Sequence, residues 1–383
     1  MAETLLPEVA ALSGRATIAP VATRVVGRAF VQQLAAQELD RAQTPEALAR
    51  RQRALVRLGA LPAGTDLRRL LVDLYAQQAA GLYDPRTKTL YLANWIPESL
   101  QTTTVAHELV HALQDRQLDL ASFLESADEN SDAVSARQAV VEGEAVVIMQ
   151  EHFVRHLLEA TQAAGLPSEA VSGGMADLAQ LLGAMGQSQA ALEATPPFIR
   201  DGLLFPYLSG AAFVEAARAA SVPATRLLAD PPASTEQILH PERYLGDRDA
   251  PTALAAPPAA PLSGWTVVDT DVLGEAGWAS LARAQLPAGV AETAAAGWDG
   301  DRYAYLEHDA DGAWALVLWS VWDSVADASE WQAAVPRIYP HAIAERRSTR
   351  VVVLDGALSD APAGTLEAWR RWAWRLWPSE RSD

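Results

Sequence analysis

The chain contains no cysteine. That excludes disulfides, thiolate zinc sites, iron–sulfur clusters and cysteine nucleophiles together. Basic residues are also scarce: 30 Lys and Arg stand against 48 Asp and Glu, a formal net charge of -18. So acidic a chain has no basic surface with which to displace counterions from phosphates, which argues against nucleic acid and anionic membranes as partners. No run of eighteen or so apolar residues occurs, so no stable membrane insertion is expected. The first residues show no basic stretch followed by an apolar one. The protein is therefore expected to be cytoplasmic, or extracytoplasmic with a signal segment already removed.

What remains is a chain of 383 residues, half of them hydrophobic, long enough for two domains. A Pro- and Ala-rich stretch at 249–263 reads as a stiff, extended linker. Composition changes across it: every Trp except Trp95 lies at or after Trp265. We therefore expect a mainly helical domain at 1–248, a linker at 249–263 and a smaller α+β domain at 264–383.

In the first part, helical periodicity covers residues 24–41, 44–58 and 66–78. Asp84-Pro85 and the residues after it mark the turn of a β-hairpin. Helices are then expected at 97–117, at 131–163 with Ser131 as the cap, and around 203–219. Beyond the linker, strands are expected at 302–307, 313–319 and 350–354, with helices at 326–335 and 366–377. The last of these crowds Trp369, Trp372, Trp374 and Trp377 among arginines. One face should pack on a sheet while the arginines stay solvated.

The residues that carry chemistry lie at His107-Glu108-Leu109-Val110-His111. Residues four apart on a helix share a face, so both histidines can reach one tetrahedral ion. Glu108 lies about 100° round the helix from His107, where a base acting on water belongs. The same spacing recurs at His152 and His156, but Phe153 follows the first histidine. That pair reads as helix surface, or as support for ligands elsewhere. A catalytic zinc needs a third protein ligand and an open position. Downstream, Glu142 and Glu144 both sit inside a strongly apolar helix, where a carboxylate is costly unless paired with a charge or a metal. Helix phase does not choose between them. Gly143 would allow this helix to approach the metal helix closely.

These residues resemble the gluzincin metallopeptidases, in which His-Glu-x-x-His is followed by a Glu-Gly on a second helix. The resemblance implies Glu142 as third ligand and one zinc ion per chain, which leaves Glu144 as the alternative ligand or as support behind the ligands. More closely, the chain resembles an uncharacterised bacterial family of predicted zinc metallopeptidases. Its motifs match Gly81-Leu-Tyr-Asp-Pro85, residues 106–115, Glu142-Gly-Glu-Ala145 and the segment 231–241. The resemblance covers roughly residues 66–245 and implies a zincin-like domain that hydrolyses peptide bonds in a peptide or protein. Glu108 would act as general base. The hairpin could hold substrate as an added strand. The oxyanion needs a further donor, for which His240 ranks first, then Tyr207 and Tyr244. Asp115, one turn after His111, is a candidate to orient it. The competing expectations are a catalytically inactive, zinc-stabilised binding or scaffold protein, and a helical protein with no metal. The oligomeric state cannot be read.

Overall fold

The computed structural model describes residues 1–78, 80–127, 130–163 and 193–377. Among these the chain is α+β with two sheets. The N-terminal half is mainly helical, as its periodicity predicts: α1 (Ala2–Leu12), α2 (Arg28–Ala42), α3 (Pro45–Arg57), α4 (Leu67–Gln78), α5 (Glu98–Gln117), α6 (Leu120–Glu125), α7 (Ser131–Ala163) and α8 (Pro197–Ala219). Three short helices follow: α9 (Ala224–Ala229), α10 (Thr235–Leu239) and α11 (Glu242–Leu245). No helix among the described residues is long and apolar enough to cross a membrane.

The small sheet holds more than the expected hairpin. Strands β2 (Gly81–Asp84) and β3 (Thr89–Ala93) pair antiparallel, and β1 (Ala22–Val26) adds in parallel on the other side of β3. Residues 24–26 were expected in a helix. They lie in a strand instead, and the helix begins only at Arg28. The strand is mostly exposed, so it lacks the alternating apolar pattern that identifies strands. The cap of α7 also differs from expectation. Asn130 accepts the Ala133 N–H at 3.0 Å, while Ser131 bonds to Asp271.

The second sheet, in the order β4-β5-β6-β8-β7, is built from β4 (Trp265–Asp271), β5 (Trp298–His308), β6 (Trp314–Trp322), β7 (Ile343–Arg347) and β8 (Arg350–Gly356). Helices α12 (Gly274–Arg283), α13 (Ala288–Ala295), α14 (Val325–Ile338) and α15 (Ala363–Ala373) complete this half. Trp369 and Trp372 of α15 are buried against the sheet, while Arg370 and Arg371 pair with Glu345 and Glu367. The Pro/Ala stretch carries neither helix nor strand and is fastened to the sheet. Thr252 N–H donates to Asp299 O, Leu254 is buried, and Leu254 O accepts from Arg302.

One core runs across both halves. Leu48, Leu55 and Leu58 of the α3 region pack with Trp278, Trp298 and Trp331. Arg51 links α3 to Asp269 and Asp271 of β4, and Tyr339 Oη donates to Leu58 O at 3.0 Å.

A candidate metal centre

Helices α5 and α7 run side by side, and two further elements fix them. Helix α1 lies against α5, with Leu5, Leu6 and Val9 packed on Val105, Leu109 and Val110. On its other side α7 meets α8 with almost no space between backbones. A Cβ on Gly143 would lie 2.2 Å from the Gly210 carbonyl carbon, and one on Gly210 would lie 2.1 Å from Ala139 O. Gly143 thus serves the approach of α8, not of the metal helix as expected. Only glycine at both positions permits this contact. It carries Tyr207, one turn before Gly210, to within 6.3 Å of His107, ring centre to ring centre.

The helix spacing brings His107 and His111 together at the bottom of this arrangement. Their Nε2 atoms lie 3.1 Å apart, and Glu142 Oε2 lies 3.2 Å from the first and 3.4 Å from the second. Ligands held tetrahedrally at about 2.0–2.1 Å from zinc stand about 3.3 Å from one another. The three atoms therefore fit three corners of such a site, and a two-nitrogen, one-carboxylate set suits zinc. Both histidines are buried, while the Glu142 side chain keeps 23% of its exposure. Burial opposes a charge on His111, but Glu142 and Glu108 beside it override that and push it up to about 9. Burial likewise opposes ionisation of Glu142, yet the histidines hold it well below the usual carboxylate range. The carboxylate and the imidazole thus each favour the other's charged form.

Of the two expected roles of Glu144, alternative ligand and support behind the ligands, its contacts match support. It points away from the cluster and is 1% exposed, with Arg15 forming an ion pair to one oxygen and a 3.0 Å hydrogen bond to the other. It also accepts from Gln114 Nε2 at 2.9 Å. Gln114 in turn offers Oε1 to His111 Nδ1 at 2.9 Å. Because Gln114 Nε2 donates to Glu144 and to Val141 O, its Oε1 must accept, so His111 carries a proton on Nδ1 and turns Nε2, the nitrogen a metal would take, towards the cluster. Asp115, the expected orienting group, does not touch His111. Its oxygens accept from Tyr83 Oη, Lys88 Nζ and Leu120 N–H, which ties the hairpin and α6 to the end of α5. Gln114, one turn's reach from His111 in sequence, was the residue missed.

Glu108 is buried, and its Oε2 accepts the Tyr83 backbone N–H at 2.7 Å. Strand β2 is the last strand of its sheet, where substrate addition was expected, but Tyr83 N–H on that edge is committed to Glu108. Gly81 lies so close that a Cβ would meet Thr104 at 2.7 Å and Glu108 at 3.0 Å.

Two of the expected proton donors have other employment. His240 Nε2 lies 2.9 Å from Glu275 of α12 and its Nδ1 4.0 Å from Glu242. Tyr244 Oη donates to Asp230 O at 2.6 Å, and its ring packs on Phe213. Neither side chain has a partner in the His107–His111–Glu142 cluster. Tyr207 does face it. The charge of Glu142, followed by burial, raises its hydroxyl well above the usual phenol range, so it stays protonated. Tyr75 of α4 was not foreseen. It is 51% exposed, but desolvation at the hydroxyl end and the charges of Glu142 and Glu108 push that hydroxyl up to about 12.

A domain of unknown function (DUF8575) matches residues 263–369. The match begins where the Pro/Ala stretch ends and does not include the cluster. No curated protein and no solved structure matches the chain.

Proposed function

We propose that the protein is a zinc-dependent peptidase with a zincin-like N-terminal domain, and that it acts at the cluster of His107, His111 and Glu142. The observation that carries this reading is the triangle of 3.1, 3.2 and 3.4 Å edges among three ligand atoms, with a buried glutamate next in sequence to the first of them. One zinc ion held there would acidify a water molecule and polarise the scissile carbonyl.

The chain's own residues supply the rest. Glu108, fixed through Oε2 by Tyr83 N–H, takes a proton from the attacking water on Oε1 and returns it to the leaving amine. Gln114 and Glu144 hold His111 in the tautomer a ligand needs. Tyr207, with Tyr75 as the alternative, donates to the carbonyl oxygen as negative charge builds on it. The substrate is a peptide or protein segment.

The test is Glu108→Gln. Zinc content, measured by elemental analysis, should stay at the wild-type level, because Glu108 is not a ligand. Hydrolysis of a fluorogenic peptide library should fall by about 10²–10⁴-fold. Undiminished hydrolysis would sink the reading. A full zinc complement with no turnover in the wild type would favour the scaffold alternative.

A further inference from the structure

The second histidine pair was expected to be helix surface or support. Instead, His152 is 2% exposed, and it shares a carboxylate with its neighbour. Glu8 of α1 places Oε2 3.0 Å from His156 Nε2 and 3.7 Å from His152 Nε2. All three ligand atoms lie within 4.8 Å of one another. The two rings are 4.4 Å apart, centre to centre. The buried His152 Nε2 has no hydrogen-bond partner and points into this group, and Glu8 Oε1 is also buried without one. Such atoms are rare, because a buried polar atom left unpaired is costly.

We infer that Glu8, His152 and His156 form a second binding site, for a divalent transition metal such as zinc, which clamps α1 to α7. The separations of 3.0 and 3.7 Å bracket the roughly 3.3 Å expected between tetrahedral zinc ligands. A metal would also give the orphaned His152 nitrogen its partner. Glu159 lies 3.7 Å from His156 Nδ1, placed to hold that ring from its other side. No carboxylate follows His152, since Phe153 occupies the position that Glu108 has in the first cluster. The second site therefore holds structure and has no base for hydrolysis.

Its consequence runs through α1. That helix underlies α5 and leads directly to Arg15, the partner of Glu144. A metal at Glu8 would anchor the segment that supports His111. The inference does not depend on the peptidase reading.

The test counts metal. Full-length protein is stripped with a chelator, titrated with zinc, and analysed for bound metal after desalting, in parallel with thermal melts. Wild type should bind two zinc ions per chain and His156→Ala one, with a smaller zinc-induced rise in Tm. His107→Ala/His111→Ala should also bind one. His156 is half-exposed, so its removal leaves the core intact. Glu8→Gln provides a second variant with the same expected loss. One ion in the wild type that persists in His156→Ala and disappears in His107→Ala/His111→Ala would overturn the second site and leave the first standing. One ion lost only in His156→Ala would uphold the second site and overturn the first.

Discussion

The two histidine pairs make a natural comparison. Each is a His-x-x-x-His on a long helix, and each is completed by one glutamate from a different helix. They differ in what stands behind the ligands. At His107 and His111 a chain of groups runs backwards, from His111 Nδ1 to Gln114, to Glu144, to Arg15. At His152 and His156 the backing is one exposed glutamate, Glu159. The first pair also has Glu108, held by a backbone N–H. The second has Phe153. A spacing of four residues, then, makes a pair of ligands and nothing more. Chemistry needs a base beside the pair, and affinity and geometry need partners that fix each ring.

The largest effect should come from cutting the backing of the first pair. In Arg15→Met the Glu144 carboxylate, 1% exposed, loses the cation paired with it. Removing one partner of a buried pair costs about 3–5 kcal/mol. The melting temperature should therefore drop, and zinc affinity at His107–His111–Glu142 should fall about 10–100-fold as Gln114 is freed. Zinc affinity at Glu8–His152–His156 should be unchanged. Equal losses at both clusters in isothermal titration would mean that α1 detaches as a whole and that the two clusters are not separately supported.

A smaller effect should sharpen the assignment of the proton donor. Tyr207→Phe removes the hydroxyl beside Glu142 and leaves all three ligands in place. We expect kcat on a peptide substrate to fall by about 10²-fold, the loss typical of one oxyanion donor, with KM nearly unchanged. His240→Ala should leave kcat unaltered, because that ring is occupied by Glu275. Should the two variants behave the other way round, the donor is His240 and the ring must leave Glu275 during the reaction. Should Tyr75→Phe alone lower kcat, the donor lies on α4.

How much of this was legible beforehand depends on sequence distance. The α5 residues proposed as ligands and base, His107, His111 and Glu108, lie within one turn of helix, and their closeness could be read directly. The α7 ligand could be narrowed only to Glu142 or Glu144. Both lie among apolar residues, and the decision rests on Arg15, 129 positions from Glu144. The resemblance to gluzincins pointed to Glu142, and it is Glu142 whose carboxylate lies beside both histidines. Gln114 was invisible because a glutamine in a helix has no pattern of its own. Tyr75 was invisible because nothing in the periodicity of α4 distinguishes it. The same holds for the fold. Strand β1 has five mostly exposed residues and owes its existence to parallel pairing with β3, some 67 positions away. The strong apolar strands β5, β6 and β8 were found, while β4 and β7, with their partly buried residues, were not.

Helix α7 carries one more buried carboxylate, and it extends the comparison to an acid with no cation paired to it among the described residues. Asp132 is 2% exposed and accepts from the Thr235 N–H and hydroxyl through Oδ1, while its Oδ2 is buried without a partner. Burial, aided by the charges of Asp301 and Glu275 and opposed by the Thr235 hydrogen bonds, raises its pKa from 3.8 to about 7. A raised acid holds its proton more tightly in the folded chain than in the unfolded one. Its contribution to stability is thus fully present below about pH 4 and is lost as pH rises towards 7. Asp132→Asn keeps the acceptor for Thr235 and imitates the protonated acid. The variant should melt higher than wild type at pH 8, by about 2–4 °C for a difference of roughly 1 kcal/mol. At pH 4.5 the difference should vanish. A variant that melts lower than wild type at pH 8 would show that Asp132 is charged in the folded protein. A cation would then be needed beside it, as Arg15 is beside Glu144.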